Sequence, residues 1–500
     1  MTTLNSTNLS TREPYIGRLL IDGKWVVADN GATMERKSPA HDLVVGVYAQ
    51  AGVVDAERAI AAARVAFDKG EWPRMKGADR AKILRKVGDL ILEREVALAE
   101  MESLENGKPY AQALAEIRGA ADLWQYAATL ARNLHGDSYN TLGENTLGVV
   151  LRDPVGVVSI ITPWNFPFLI VSQKLPFALA AGCTTVVKPA EVTSGTTVML
   201  GQILIDAGMP DGVVNILVGR GSVIGDVMVT HGDVDMLSFT GSTAVGKAAV
   251  AKSAGTLKKV SMELGGKNPQ IVFADCDWDA AVDAAVYGIY FNAGQCCNSG
   301  SRILVQESIA EKFTQEVIER SKLVKVGDPL VAGVQVGAIT TDKQLETILH
   351  HIADAKAAGA NVALGGNRIE RTGMYVEPTI VTGVRPDMAI AKEEVFGPVL
   401  AVLTFKDLDE AVELANGTLY GLSAAVWSKD FTTCMTAARR IKAGTVWVNT
   451  FLEGHAELPF GGYRESGIGR ELGRLATEDY TETKTLHMHL GERTDWYVPR

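Results

Sequence analysis

The sequence predicts an α/β protein: a doubly wound parallel sheet, a second α/β domain, and a C-terminal strand in search of a partner. Three observations carry this reading. Short apolar runs alternate with helical segments between residues 157 and 262. A second alternation runs from about Gly266 to Gly473. Residues 484–490 alternate polar and apolar side chains, the pattern of a strand with one covered face. At 500 residues the chain exceeds what one core usually supports, so two or three domains are expected.

Residues 1–13 are polar apart from two leucines and are expected to be mobile. Residues 24–27 and 44–49 read as short strands. Asp55 is placed to cap a helix over 56–67, and residues 80–104 and 110–134 carry helical apolar spacing. Residues 148–158 give strand-like runs around Asp153-Pro154. Strands then follow at 157–162, 184–188, 213–217, 236–239 and 259–262, separated by helices at 166–181, 194–207, 223–229 and 243–254. Such sheets bind ligands beyond the carboxyl ends of their strands. Asn165, Lys188, Gly241 and Glu263 all fall at or just past those ends. The second domain shows strands near 270–273, 302–306, 400–404, 424–427 and 445–449.

Composition narrows the function. The net charge of −10 and the lack of a basic block argue against nucleic acid or an anionic membrane as a partner. The amino-terminal residues show no basic segment followed by an apolar one, and the longest apolar runs are too short to cross a bilayer. Five cysteines, an odd number with one adjacent pair, do not make a disulfide framework, so a reducing, cytoplasmic setting is expected. Cys183, Cys276 and Cys434 read as packing residues. His487 and His489 would share one side of the tail strand. Two imidazoles make a poor metal site, and no metal is expected.

The chemistry-bearing motifs are Thr162-Pro-Trp164-Asn165, Phe239-Thr-Gly241-Ser242-Thr-Ala-Val-Gly246, Met262-Glu263-Leu-Gly-Gly-Lys267, Phe291-Asn-Ala-Gly-Gln-Cys296-Cys297-Asn298 and Glu394-Val-Phe396-Gly-Pro. Cys297 is a candidate thiolate nucleophile and Glu263 a candidate base, flanked by glycines that admit close backbone approach. Together these segments resemble the aldehyde dehydrogenase superfamily, in its order and spacing, over roughly residues 15 to 490.

The resemblance implies a Rossmann-like NAD-binding domain from residues 14–134 and 152–262, a catalytic domain over 263–473, and an oligomerisation arm from 135–151 and 474–500. A homodimer or homotetramer follows. Cys297 would attack the aldehyde, giving a thiohemiacetal whose C–H leaves as hydride and a thioester that water releases. That role needs a thiol whose pKa is lowered by its surroundings or whose proton is taken by a base. The resemblance has Asn165 hold the oxyanion, whereas on residue type alone it reads first as a helix cap. Glu263 would activate the water, and its alternative is an ion pair with Lys267. A coenzyme-A-acylating branch of the superfamily usually lacks that glutamate, so a carboxylic acid is the expected product.

For the cofactor, Gly241-Ser242 opens a helix whose amides can meet a pyrophosphate. Lys188 and Glu191 would take the adenosine ribose, with Glu191 favouring NAD and leaving NADP weaker. Glu394 and Phe396 would take the nicotinamide ribose and ring. Trp164, Gly221, Phe239 and Gln344 belong to the same cleft. Ile170, Gln173, Phe291, Cys296, Asn298, Phe451, Glu453 and Phe460 are expected to line the aldehyde tunnel. Gln173 cannot pair a distal carboxylate as arginine does in succinic semialdehyde relatives. The loop over 449–458 resembles that of betaine-aldehyde and aminoaldehyde dehydrogenases, where Glu453 or Glu457 would suit a cationic aldehyde. A broad aliphatic or aromatic specificity is the alternative. A cysteine esterase or acyltransferase is the competing class, but it has no use for the Gly241 loop, Lys188 or Glu394.

Overall fold

The computed structural model describes residue 9, residues 11–492 and residue 497. The mobile segment expected over 1–13 falls mostly outside the described residues; within it, Arg12 pairs with Glu100 at 2.7 Å.

The first domain is built on an eight-stranded sheet. Its five central strands run in the spatial order Lys259–Glu263, Met236–Thr240, Val157–Ile161, Thr184–Lys188, Val214–Ile216, and every neighbouring pair is parallel. These strands are nearly all buried, which is why most of them read as short apolar runs rather than alternating ones. Strand order reverses between Val157–Ile161 and Met236–Thr240. That reversal opens a crevice at their carboxyl ends, the usual ligand site of such sheets. The register sets Ile161 beside Lys188 and Thr240 beside Glu263, so both charged residues stand at the rim. Leu19–Ile21 and Lys24–Val26 form an antiparallel edge at one side, and Gly467–Ile468 closes the other. The strand Val44–Ala49 lies in a separate small sheet with Tyr15–Gly17 and Thr33–Lys37.

Helix boundaries differ from expectation in three places. The helix α1 spans Val53–Asp68, so Asp55 is inside its first turn and Gly52 holds the cap position. The Asp55 carboxylate reaches back to accept the Gly52 N–H at 3.0 Å and also accepts the Asp29 N–H. The segment 80–104 is two helices, α2 (Gly77–Glu93) and α3 (Glu95–Asn106), because Arg94 leaves helical geometry. The apolar spacing continues through the break and hides it. After α4 (Tyr110–Asn133), α5 (Pro167–Ala181) and α6 (Gly195–Ala207), the expected helix over 223–229 is a π turn, Gly221–Gly225, running into the short α7, Asp226–Thr230. Then α8 spans Thr243–Ser253.

The second domain holds a seven-stranded sheet in which six strands are parallel and Asn361–Leu364 is the antiparallel edge. The sequence misses Asn361–Leu364 and Thr379–Thr382, four-residue strands too short to show a period. The tail strand is longer than expected, Thr481–His489, and pairs antiparallel with Thr146–Pro154 of the same chain. Its partner runs past residue 151, the expected end of the arm. Beyond it Ser138–Tyr139 adds a third strand. No described helix is long and apolar enough to cross a membrane.

Asp55 is fully buried and satisfies two backbone donors, so its loss leaves both unpaired. Asp55→Ala is expected to cost about 2–3 kcal/mol, read as a lower denaturant midpoint of the first unfolding transition.

Candidate active site

The chain leaves Val157–Ile161 through Thr162-Pro-Trp-Asn165 and enters α5. Pro167 stands in the first turn, where its missing N–H costs nothing. The cap position belongs to Phe166 and no side chain caps the helix, so Asn165 is not spent on capping. Its amide instead donates to the Gln295 carbonyl at 3.1 Å, and the residue is buried.

That hydrogen bond fastens the turn carrying the thiol. After the helix α9 (Trp278–Tyr290), Asn292 and Ala293 both adopt left-handed backbone, at φ 50° and 54°, and Gly294 follows at φ 71°. Such conformations cost about 1 kcal/mol or more for residues with side chains, and the surroundings enforce them. Asn292 donates to the carbonyls of Asn165 and Gln295 at 2.9 and 3.1 Å. The Gln295 side chain accepts the Thr340 N–H at 3.0 Å. A Cβ at Gly294 would overlap the Gly397 carbonyl, so only glycine fits. Behind them, Asn106 donates to the Trp164 carbonyl and bonds the Thr340 hydroxyl.

Cys297 follows this turn, half-buried, with its carbonyl held by Asn268 at 2.9 Å. Burial raises its thiol well above the ordinary range, and Cys296, Glu394 and Glu263 push the same way. Of the two expected routes to a thiolate, burial and the facing carboxylates work against a lowered pKa and favour removal of the proton by a base. Glu263 ends its strand with both carboxylate oxygens buried and without hydrogen-bond partners. Burial, reinforced by Glu471, holds its proton well above the usual carboxylate range, against the opposing fields of Lys174 and Arg470. The alternative partner is absent: Lys267 Nζ is itself buried without a partner. Nearby, Lys174 pairs with Glu471 in the interior, and its amine also reaches Ser238 Oγ at 3.2 Å.

Glu394 stands on the other side of the thiol. It accepts the Gly266 N–H at 3.0 Å, and burial raises its pKa to about 7. A Cβ at Gly265 would overlap this carboxylate, and one at Gly266 would crowd the Cys297 carbonyl. The two glycines thus allow the close approach. Phe396, at φ 56°, sets its ring edge against Trp164 at 5.3 Å. Gln344 spends its amide on the carbonyls of Val395 and Phe396, so it shapes this loop from behind. At the far end of the crevice, Glu191 accepts the Gly221 N–H at 2.7 Å and lies 3.5 Å from Lys188 Nζ. The Gly241 N–H bonds the Glu263 carbonyl, joining two strand ends, Gly241 itself lies against the Phe239 ring, and Ser242 sits at the cap of α8.

On the opposite side, Phe166, Ile170 and Cys296 form an apolar cluster with Phe291, whose ring stacks on Phe166 at 5.8 Å. The Cys296 thiol donates to Asn298 Oδ1 at 2.8 Å, and Gln173 is half-buried two turns into α5. One expected tunnel residue lies elsewhere. Phe451 is seated in the second domain's core, edge-on to Trp447 at 5.1 Å and against Gly288. Phe460 pairs its backbone with Glu471 and packs on the first domain's core. Phe460 stays half-buried, so part of its ring remains open. Glu453 is exposed, with its carbonyl accepting Trp447 Nε1 at 2.9 Å.

The sequence reading passes over the residues that hold the turn, Asn106, Asn292, Gln295 and Thr340, and over the buried Lys174–Glu471 pair. A lone lysine inside the apolar helix Pro167–Ala181 was the available signal for the pair. Nothing in the sequence marks the partners of Gln295.

Comparison with known proteins agrees with this geometry. The model of the aldehyde dehydrogenase family matches residues 25–486. The betaine aldehyde dehydrogenase of Bacillus subtilis is 41% identical over 94% of this chain and 96% of the relative. A crystal structure of an NAD-dependent aldehyde dehydrogenase from Sinorhizobium meliloti is 49% identical, with a TM-score of 0.97 over 99% of both chains. That of Staphylococcus aureus betaine aldehyde dehydrogenase in complex with NAD+ is 40% identical, with a TM-score of 0.95 over 97% of both chains. With its thiol turn, its buried glutamate and its whole length matched, this chain belongs to the aldehyde dehydrogenase family.

Proposed function

We propose that this family member oxidises an aldehyde to its carboxylic acid with NAD, through a thioester on Cys297 that water hydrolyses. The observation that carries the reading is the convergence of the Asn165 amide, the Cys297 thiol and the unpartnered Glu263 carboxylate around one fixed turn. Bound NAD supplies the hydride acceptor. Glu191 and Lys188 suit its adenosine ribose, and Glu394 with Phe396 and Trp164 suits the nicotinamide end.

The protein's own groups do the rest. Ionised Glu263 takes the Cys297 proton and passes it on to solvent, and the thiolate sulfur bonds to the aldehyde carbon. The oxygen becomes an oxyanion that accepts hydrogen bonds from Asn165 Nδ2 and the Cys297 N–H. Loss of hydride from the same carbon leaves a thioester. Glu263 then takes a proton from water as its oxygen adds to the thioester carbon, and the C–S bond breaks to free the acid. A cysteine esterase would use the same thiol but would leave Glu191, Lys188 and Glu394 without work.

We infer that the substrate is a small cationic aldehyde of the amino- or betaine type. The likeness of the 449–458 loop to such enzymes, the acidic Glu453 and Glu457 on it, and the neutral Gln173 support this. The stacked Phe166 and Phe291 favour a broader aliphatic or aromatic range as the second reading. The unpaired outer edge of Thr481–His489 supports assembly of a homodimer or homotetramer through the arm, and five free thiols support a cytoplasmic setting.

Steady-state NADH formation over a panel of aldehydes tests the reading. Cys297→Ala is expected to abolish turnover while NAD binding persists, and Asn165→Ala to lower kcat about 100-fold or more. A trimethylammonio- or aminoaldehyde is expected to show the highest kcat/KM; a neutral aromatic aldehyde in first place would favour the second reading.

Both reacting acids hold their protons above the ordinary range and must lose them to act. The rate is therefore expected to climb as pH rises from about 6 toward 9 or 10. A rate that is flat or falling over that range contradicts the assignment.

Glu191→Ala removes the charge facing a 2′-phosphate. The expected outcome is at least a roughly tenfold gain in the NADP-to-NAD ratio of kcat/KM.

A further inference from the structure

A cavity of about 430 Å³ opens between the start of α2, the end of α4, the C-terminal end of α5 and the strand Thr146–Pro154. It takes no part in the chemistry above. Its wall reaches α5 at Ala181, whereas Asn165 stands before the other end of that helix. Fifteen helical residues, roughly 22 Å, separate the two.

The cavity is lined by three arginines, Arg80, Arg132 and Arg152. Arg80 is only 7% exposed. Its Nη1 donates to the carbonyls of Met75 at 2.8 Å and Trp72 at 3.4 Å, which fixes the guanidinium plane. Nε is buried without a partner, and Nη2 meets no acceptor among the described residues, so Nη2 is the donor left free. Gly182, at φ +100°, lies over the same guanidinium, where a Cβ would stand 3.4 Å from Nη1. Arg132 is exposed and has no acidic partner among the described residues. Arg152 bonds Thr483 Oγ1 at 3.2 Å and is 4.0 Å from Glu478, a loose pair. The first-turn residues Gly77 and Ala78 of α2 also line the wall, where amides have no acceptor within their own helix. The single carboxylate in the lining, Asp153, is already paired with Lys484.

A buried guanidinium with an unpartnered Nη2, two further arginines and a helix N-terminus line one recess whose one lining carboxylate is neutralised. We propose that this cavity is a binding site for a phosphate-class dianion, a phosphomonoester or pyrophosphate group. Its chemistry matches such groups: forked guanidinium donors on several oxygens, with backbone N–H groups completing the shell. The volume admits a small phosphorylated metabolite rather than a bare ion alone.

The test uses inorganic phosphate and pyrophosphate with the full chain saturated by NAD, so that the cofactor crevice is filled. Calorimetric titration and thermal midpoints are compared for the native chain and Arg132→Ala/Arg152→Ala, which leaves Arg80 and its structural bonds intact. The expected result is saturable pyrophosphate binding that the double variant weakens at least tenfold while keeping aldehyde turnover. Two results overturn the proposal: a native response no larger than that to sodium chloride at equal ionic strength, or an undiminished response in the variant.

Discussion

The reactive thiol depends on a turn that the backbone does not adopt willingly. Asn292 and Ala293 sit in left-handed geometry, and the turn persists because Asn165, Asn292, Gln295 and Thr340 bond across it. These four residues come from three parts of the fold: the loop after the first strand of the doubly wound sheet, the turn itself, and the approach to the helix Asp342–Ala357. The amide that would meet the oxyanion is thus also a brace for the nucleophile. Strain at this point is overdetermined by the two domains, a common arrangement where a reacting group has to be held ready.

Electrostatics around the turn work against a lowered thiol pKa. Carboxylates surround Cys297, and burial keeps protons on both the thiol and Glu263. Burial thus favours the protonated thiol in the chain alone, the form least open to oxidation. Activation has to come from deprotonation by a neighbouring base as the substrates assemble. The buried Lys174–Glu471 pair beside Glu263 explains why that carboxylate stays close to charge without forming a bond to it.

Much of this was legible in the sequence for identifiable reasons. The five central strands are buried on both faces, so their apolar runs stand out, and their carboxyl ends forecast where Asn165, Lys188, Gly241 and Glu263 gather. Helix ends were less legible: the break at Arg94 lies on an unbroken apolar stripe, and Gly52 offers no side chain to announce a cap. The supports of the thiol turn were invisible, because their bonds join residues far apart in the chain. Phe451 misled for a related reason. An aromatic in a loop near a site reads as a liner, and only packing shows that this one faces the core.

The most direct test of the central claim is the intact mass of Glu263→Gln mixed with NAD and a substrate aldehyde. Solvent can still take the thiol proton slowly, but without a base to activate water the variant is predicted to accumulate one acyl group per chain, mapped by proteolysis to Cys297, with one equivalent of NADH released. NADH formed with no covalent adduct, or an adduct on another residue, would contradict the account.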